Sequence, residues 1–264
     1  MEKSLALYAV FGKPIGHSLS PLMHNCAFRE CGYLAHYLPV ECSPRELAEK
    51  LEAFRQLGGR GVNLTRPLKE QVLPLLVNTG EWVDASGAAN TLYWTDQGWA
   101  GQNTDCAALD NLLPARAFSG GNALIVGGGG VARATAAVLR RRRMFVVVAM
   151  RRPQPLTWAD AVIAWNDRLL PQPWDVVVNA TPLGQIGENQ EAEWPLPSAG
   201  GMIVEWVYHP RDTLFVQAAK AHNIPIIDGL TLLVEQAALA WRFWFGHEAP
   251  REVMWEAIQS WSHK

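Results

Sequence analysis

The sequence predicts an α/β protein made of two α/β domains. Three observations carry that prediction. Strand-like and helix-like segments alternate along most of the chain, which is the pattern of a parallel sheet covered by helices. A continuous apolar strand at 122–126 runs into Gly127-Gly128-Gly129-Gly130 and then into a helical pattern. A long apolar helix after Gly229 would pack back on the first half. The first domain is then discontinuous, 1–106 plus 229–264, around a second domain at 107–228, with a cleft between the halves.

The elements follow in order. Residues 5–11 read as a strand and 21–31 as a helix, with Ser20 as N-cap and Pro21 at the first helical position. A second strand is expected at 36–40. Ser43-Pro44-Arg45-Glu46 is a capping box opening a helix to about 57. A third strand at 61–64 is followed by a short helix at 70–77. Strands at 90–94 and 99–102 flank Asp96-Gln97-Gly98, a hairpin signal. Asp105 suits an N-cap for a helix running toward Leu113. In the second half, strands are expected at 122–126, 145–149, 174–180, 202–207 and 224–228. Helices follow Val131 and cover 230–245 and 250–261. The stretch 153–173 resists assignment, and 187–201 reads as a surface loop. Trp241, Trp244, Trp255 and Trp261 fall at helical packing positions.

The 264 residues, 49% hydrophobic, are enough to bury a core, and the net charge of -2 gives no footprint for nucleic acid or an anionic membrane. The run Arg140–Arg143 reads as a solvated helix C-terminus, where cations suit the dipole. Cys26, Cys31, Cys42 and Cys106 match neither a zinc site nor a disulfide framework, so reduced thiols in a cytoplasmic protein are expected. No metal site is expected, and His17 and His24 read as structural or supporting groups. The first residues lack a signal-peptide core, and no apolar stretch is long enough to span a bilayer.

The glycine loop has the context a dinucleotide needs. Gly127 permits the tight turn, Gly129 lets backbone approach a pyrophosphate, and Gly130, Val131 and Ala132 open a helix whose free N–H groups face the phosphates. Where an NAD-binding unit places a carboxylate at the end of its second strand, this chain has Met150-Arg151-Arg152. Two guanidinium groups suit a 2′-phosphate, which favours NADP.

The chemistry sits earlier. Gly-Val-Asn-Leu-Thr-Arg-Pro-Leu-Lys ends at Lys69, and Gly-Gln-Asn-Thr-Asp ends at Asp105. An ammonium and a carboxylate facing a dinucleotide are what reversible reduction of a ketone requires: the ammonium stabilises the growing oxyanion, and the carboxylate orients it. Whether Lys69 passes the proton itself or only polarises the oxygen stays open at this point.

Ordered motifs extend over nearly the whole chain: Gly12-Lys13-Pro14-Ile15-Gly16-His17-Ser18-Leu19-Ser20-Pro21 with His24-Asn25, Gly61 to Lys69, Gly87-Ala88-Ala89-Asn90-Thr91, Gln102-Asn103-Thr104-Asp105, the glycine loop, Asn179-Ala180-Thr181-Pro182-Leu183-Gly184, Tyr208 with Pro210 and Thr213, and Asp228-Gly229-Leu230 with Gln236. On these the chain resembles the shikimate dehydrogenase family. The resemblance implies a Rossmann-type NADP-binding domain beside a discontinuous substrate domain, and NADPH-dependent reduction of 3-dehydroshikimate to shikimate; whether the protein is a monomer or homodimer stays open. It implies Lys69 and Asp105 as the catalytic pair. Ser18 and Ser20 would take the substrate carboxylate, with Tyr208 near it, and Thr65, Asn90 and Gln236 the ring hydroxyls. Gly127, Gly129, Gly130, Val131, Ala132, Arg151, Arg152, Thr181 and Gly229 would meet the cofactor. The sequence departs from the family at Gln185 and Leu232, where methionines are usual, and at Cys106-Ala107-Ala108. A quinate/shikimate dehydrogenase using NAD, a divergent paralogue and a non-catalytic dinucleotide-binding sensor are the alternatives.

Overall fold

A computed structural model describes residues 5–114, 120–189 and 193–259. The chain divides into two compact units, Met1–Ala107 with Val234–Lys264, and Ala108–Leu233.

The first unit begins with β1 (Ala6–Gly12), α1 (Ser20–Glu30), β2 (Ala35–Glu41), α2 (Leu47–Gln56) and β3 (Gly59–Leu64). It continues through β4 (Asn78–Thr79), α3 (Glu81–Ser86), β5 (Thr91–Thr95), β6 (Gly98–Gln102) and the start of α4 (Thr104–Leu112). These strands form one six-stranded sheet in the order β2-β1-β3-β5-β6-β4. β1 pairs parallel with β2 and β3, whereas β5 runs antiparallel to both β3 and β6. The hairpin closes with Thr95 opposite Gly98, whose φ of 136° only glycine adopts without strain. Phe11, Leu47, Leu51, Val62, Leu68, Leu92 and Trp99 make one buried cluster with Phe54 and Val83.

The second unit holds β7 (Asn122–Val126), α5 (Gly130–Arg141), β8 (Phe145–Met150), β9 (Ala161–Ala164), β10 (Val176–Asn179), β11 (Met202–Glu205), α6 (Leu214–Ala221) and β12 (Ile226–Ile227). All of its paired strands are parallel, in the order β12-β11-β10-β7-β8-β9. Runs such as Val176-Val177-Val178 are fully buried, as strands covered on both faces must be. Strand order reverses between β7 and β10, the crevice where such sheets bind ligands.

α7 (Gly229–Phe245) carries the chain back into the first unit, and α8 (Arg251–Gln259) closes it. Trp241 is fully buried there, with its ring 5.4 Å from Phe28 and 4.4 Å from Phe245. Trp244 donates from Nε1 to the Leu92 carbonyl at 3.0 Å and lies over Gly61, where an added Cβ would sit 2.3 Å from that nitrogen. Trp244 and Trp255 are half-buried, and Trp261 lies outside the described residues, as does the end of the helix expected to 261.

Several local expectations are corrected. The helix at 70–77 is only a 3-10 turn, Leu73–Leu75, because Pro74 has no N–H and cannot continue an α-helix. Leu19, not Ser20, occupies the N-cap of α1, and Ser20 begins the helix. The N-cap makes no side-chain hydrogen bond, and the Ser18 hydroxyl before it accepts from the Ser20 N–H at 3.3 Å. At α4 the capping oxygen belongs to Asn103, which accepts from the Cys106 N–H at 3.2 Å, leaving the Asp105 carboxylate free for other work. Arg142 is not solvated: it donates to the Asp110 carboxylate at 3.0 Å and to the Pro114 carbonyl at 2.9 Å. The unassigned stretch 153–173 contains β9 and a 3-10 turn, Trp165–Leu169. The expected loop over 187–201 has no helix or strand among its described residues, and 190–192 lie outside them.

Candidate active site

Lys69 and Asp105 meet. Lys69 Nζ donates to Asp105 Oδ2 at 2.6 Å, with side chains 16% and 10% exposed. The two arrive from different elements. Lys69 follows the turn after β3, fixed by the Leu68 N–H donating to Thr65 O at 2.9 Å. Its own carbonyl accepts from the Ala89 N–H at 2.8 Å, which ties it to the residue before Asn90. Asp105 is in the first turn of α4, where the helix dipole favours a carboxylate.

Asn90, the next residue after Ala89, is 3% exposed. Its Oδ1 accepts from the Thr104 N–H at 2.7 Å and from the hydroxyls of Thr91 and Thr104 at 3.0 and 3.1 Å. Its backbone carbonyl accepts from Leu64 N–H at 2.8 Å, beside Thr65. Its Nδ2 carries no hydrogen bond to a described residue, so the amide presents donors outward. Thr65 is held by its N–H to Phe11 O at 2.9 Å, and Gly12 makes room for it: a Cβ there would meet Thr65 Cγ2 at 2.2 Å.

A polar chain runs on through the buried sheet. Asn63 Nδ2 donates to the Thr91 hydroxyl at 3.0 Å, and the Tyr37 hydroxyl donates to Asn63 Oδ1 at 2.7 Å. Burial holds the Tyr37 phenol well above its ordinary pKa, with the Ser20 hydroxyl acting in the opposite sense. Ser20 is buried and Ser18 half-buried. Gln236, on α7, is buried in the same unit. Asn63, Thr104 and Asn103 were not legible as functional; an Asn inside an apolar strand was the available signal, since a buried amide demands partners.

His24 is fully buried, stacked on Tyr37 at 4.5 Å, and both ring nitrogens lack a hydrogen-bond partner. Burial lowers its pKa to about 3. It is a neutral packing group, whereas His17 is exposed. No cluster that could hold a metal ion occurs among the described residues. No described helix is long and apolar enough to cross a membrane.

In the second unit the glycine turn fits a dinucleotide. Gly127 has φ 113°, and a Cβ on it would lie 2.9 Å from both Ala180 O and Thr181 Cγ2. Around Gly129 and Gly130 the opposite holds, with nothing within 4 Å of an added Cβ. Gly129 is the N-cap of α5, whose first N–H groups have no intrahelical partner, with Val131 and Ala132 in the first turn. Thr181 is fixed by Asn179, whose Oδ1 accepts from the Thr181 N–H at 3.0 Å and its hydroxyl at 2.7 Å. Arg151 and Arg152, just past β8, are exposed and pair with no described residue. Gly229 abuts backbone, since a Cβ would lie 2.3 Å from Val207 O. Gln185 is half-buried and donates its N–H to Pro182 O at 3.0 Å, and Leu232 is buried. Tyr208 is half-buried in the loop after β11. Such a turn, at a strand reversal and with no carboxylate after the second strand, fits NADP.

Comparison with known proteins agrees with this geometry. Residues 10–92 match the family model described as "Shikimate dehydrogenase substrate binding domain", and 229–259 match "Shikimate 5'-dehydrogenase C-terminal domain". The chain is 35% identical over 261 residues to the shikimate dehydrogenase (NADP(+)) of Oleidesulfovibrio alaskensis, covering 92% of this chain and 91% of that one. It superposes on the shikimate 5-dehydrogenase of Thermus thermophilus, solved with NADP(H) and shikimate, with TM-score 0.83 and 33% identity over 97% of this chain and 99% of that one. The ligand-free 5-ketofructose reductase of Gluconobacter sp. strain CHM43 shares the fold, at TM-score 0.82 and 24% identity over 97% of this chain and 99% of that one.

Proposed function

Because the chain belongs to the shikimate dehydrogenase family, we propose that it is an NADP-dependent shikimate dehydrogenase, reversibly reducing the ketone of 3-dehydroshikimate to the hydroxyl of shikimate. The enzyme is an oxidoreductase acting on a CH–OH group. The observation that carries this reading is the largely buried Lys69–Asp105 pair, 2.6 Å apart, set beside the amide of Asn90.

NADPH, when bound, supplies the hydride. Gly127, Gly129, Gly130, Val131 and Ala132 would hold its pyrophosphate, Arg151 and Arg152 its 2′-phosphate, and Thr181 and Gly229 complete the set. The chain's residues do the rest. Lys69 places an ammonium at the carbonyl oxygen, where negative charge grows as the carbon gains a hydride, and gives up a proton to it. Asp105 fixes the ammonium in that position and accepts from a substrate hydroxyl. Asn90, Thr65 and Gln236 pair the ring hydroxyls, while Ser18, Ser20 and Tyr208 take the carboxylate. Ketone, NADPH and one proton become alcohol and NADP+.

The substrate domain comprises 1–106 plus 229–264 and the dinucleotide domain 107–228 in this reading. The protein works in the cytoplasm on small molecules, without nucleic acid, as a monomer or homodimer. Steady-state assays with shikimate and quinate against NADP+ and NAD+ test it. The expected result is the highest kcat/KM for shikimate with NADP+. A preference for NAD+ of tenfold or more, about 1.4 kcal/mol, would refute the cofactor assignment, and preference for quinate the substrate.

A further inference from the structure

Glu205 closes β11 and is fully buried, yet no charged side chain among the described residues is hydrogen-bonded to it. Its partners come from three different segments. Oε1 accepts from the Val207 N–H at 2.8 Å and from Asn179 Nδ2 at 2.9 Å. Oε2 accepts from the Thr213 hydroxyl at 2.8 Å and again from Asn179 Nδ2 at 3.1 Å. Thr213 is the N-cap of α6, and Val207 precedes Tyr208. One carboxylate thus joins the end of β10, the loop after β11 and the start of α6.

The consequence runs through Asn179. An amide has an acceptor end and a donor end, and Glu205 fixes which is which. Nδ2 is drawn to the carboxylate and to Leu183 O at 3.1 Å. Oδ1 is left to hold Thr181 by its N–H and its hydroxyl. Thr181 in turn forms the wall against which Gly127 of the dinucleotide turn is packed. A fully buried strand carboxylate therefore sets the orientation of the loop packed against the Gly127 turn.

We propose that Glu205 is a positioning residue for the dinucleotide site, holding Thr181 and the 181–184 loop in place through the Asn179 amide. This deepens the reading of the second unit as the NADP site and rests on it. Burial raises the Glu205 pKa to about 7, with the Val207 N–H, the Thr213 hydroxyl and the Asn179 amide pulling it back. The charged neighbours in sequence are engaged elsewhere, Arg211 with Asp228 at 3.2 Å and Asp212 with Lys220 at 2.6 Å. Ionised, the carboxylate accepts all its donors. Protonated, Oε2 becomes a donor, so the Thr213 hydroxyl must turn to accept, and the Asn179 amide keeps only the neutral, weaker acceptor Oε1.

The test is NADP+ affinity, read from tryptophan fluorescence, for wild type, Glu205→Gln and Glu205→Asp across pH 5.5 to 8.5. Gln copies the neutral acid, and Asp keeps the charge. We expect wild-type affinity to tighten as pH rises through about 7, Glu205→Gln to be about tenfold weaker at pH 8 and to lack that step, keeping only the rise near about pH 6 that ionisation of the NADP+ 2′-phosphate gives both proteins, and Glu205→Asp to recover part of the loss. A Glu205→Gln variant with wild-type affinity and pH profile overturns the proposal, and so does one that is merely less heat-stable with affinity unchanged. Because binding is read without turnover, an enzyme inactive on shikimate would refute the substrate assignment and leave this test standing. No NADP+ binding by wild type would refute the cofactor site itself.

Discussion

Replacing Lys69 by methionine keeps most of the unbranched stem and removes the ammonium, its charge and its donors together. In the structure its ammonium is 2.6 Å from Asp105, and the two side chains are 16% and 10% exposed. So little exposure reduces solvent screening, and in the proposed mechanism the ammonium acts on a developing oxyanion as a preorganised donor. Removing one such group costs about 100- to 1000-fold in kcat, roughly 2.7–4 kcal/mol. Lys69→Met also strands the Asp105 carboxylate, so some thermal stability should go with it. The double variant Lys69→Met/Asp105→Leu should recover stability without recovering turnover, because a buried pair replaced by apolar groups is often neutral. Initial rates of NADPH formation from shikimate, with melting curves on the same samples, separate the two effects. KM for shikimate should change far less than kcat, since the charge acts mainly in the transition state. Turnover of Lys69→Met within about threefold of wild type would remove the ammonium from the mechanism.

The two ends of the glycine turn should respond differently to the same methyl group. Gly129→Ala, with nothing within 4 Å, should melt within a degree or two of wild type yet bind NADP+ at least about tenfold more weakly by isothermal titration. Gly127→Ala, at φ 113° and 2.9 Å from Ala180 O, should lose stability as well. Arg151→Ala/Arg152→Ala should cut the NADP+ over NAD+ preference in kcat/KM by at least about tenfold, and an unchanged ratio would show that the 2′-phosphate is held elsewhere. His24, with its pKa depressed to about 3, binds a proton more readily unfolded than folded. Wild-type stability is therefore complete above about pH 6.5 and falls toward pH 3, by up to ~1.4 kcal/mol per pH unit. Urea melts of His24→Phe should lack that component, and parallel pH curves for the two proteins would contradict it.

The sheet strands and the long helices were legible because their apolar runs are long and unambiguous, as at Asn122–Val126 and Gly229–Phe245. Short elements were not. The six-residue α3 is framed by Gly80 and by Gly87 in the left-handed region, and carries too few turns for a period. Ala161–Ala164 is four residues amid prolines and tryptophans. α6 escaped even though Thr213 accepts from the Val216 N–H as a proper cap. At the site, Lys69 and Asp105 were visible as motif ends, but the hydrogen bonds between segments distant in sequence were not. Asn63 meets Thr91, Asn90 meets Thr104, and Glu205 meets Asn179 only after folding. In the sequence Glu205 is one acid after Met202-Ile203-Val204; the apolar run before it was the hint that it is buried.

The Asn90 side chain has spent its lone pairs indoors, on one amide hydrogen and two hydroxyls. Whatever atom settles against it from outside finds only hydrogens. An ether, a hydroxyl or a carboxyl oxygen is welcome there; a protonated amine is not. Chemists building inhibitors for this protein should therefore leave ammonium groups off the edge of the molecule that faces residue 90.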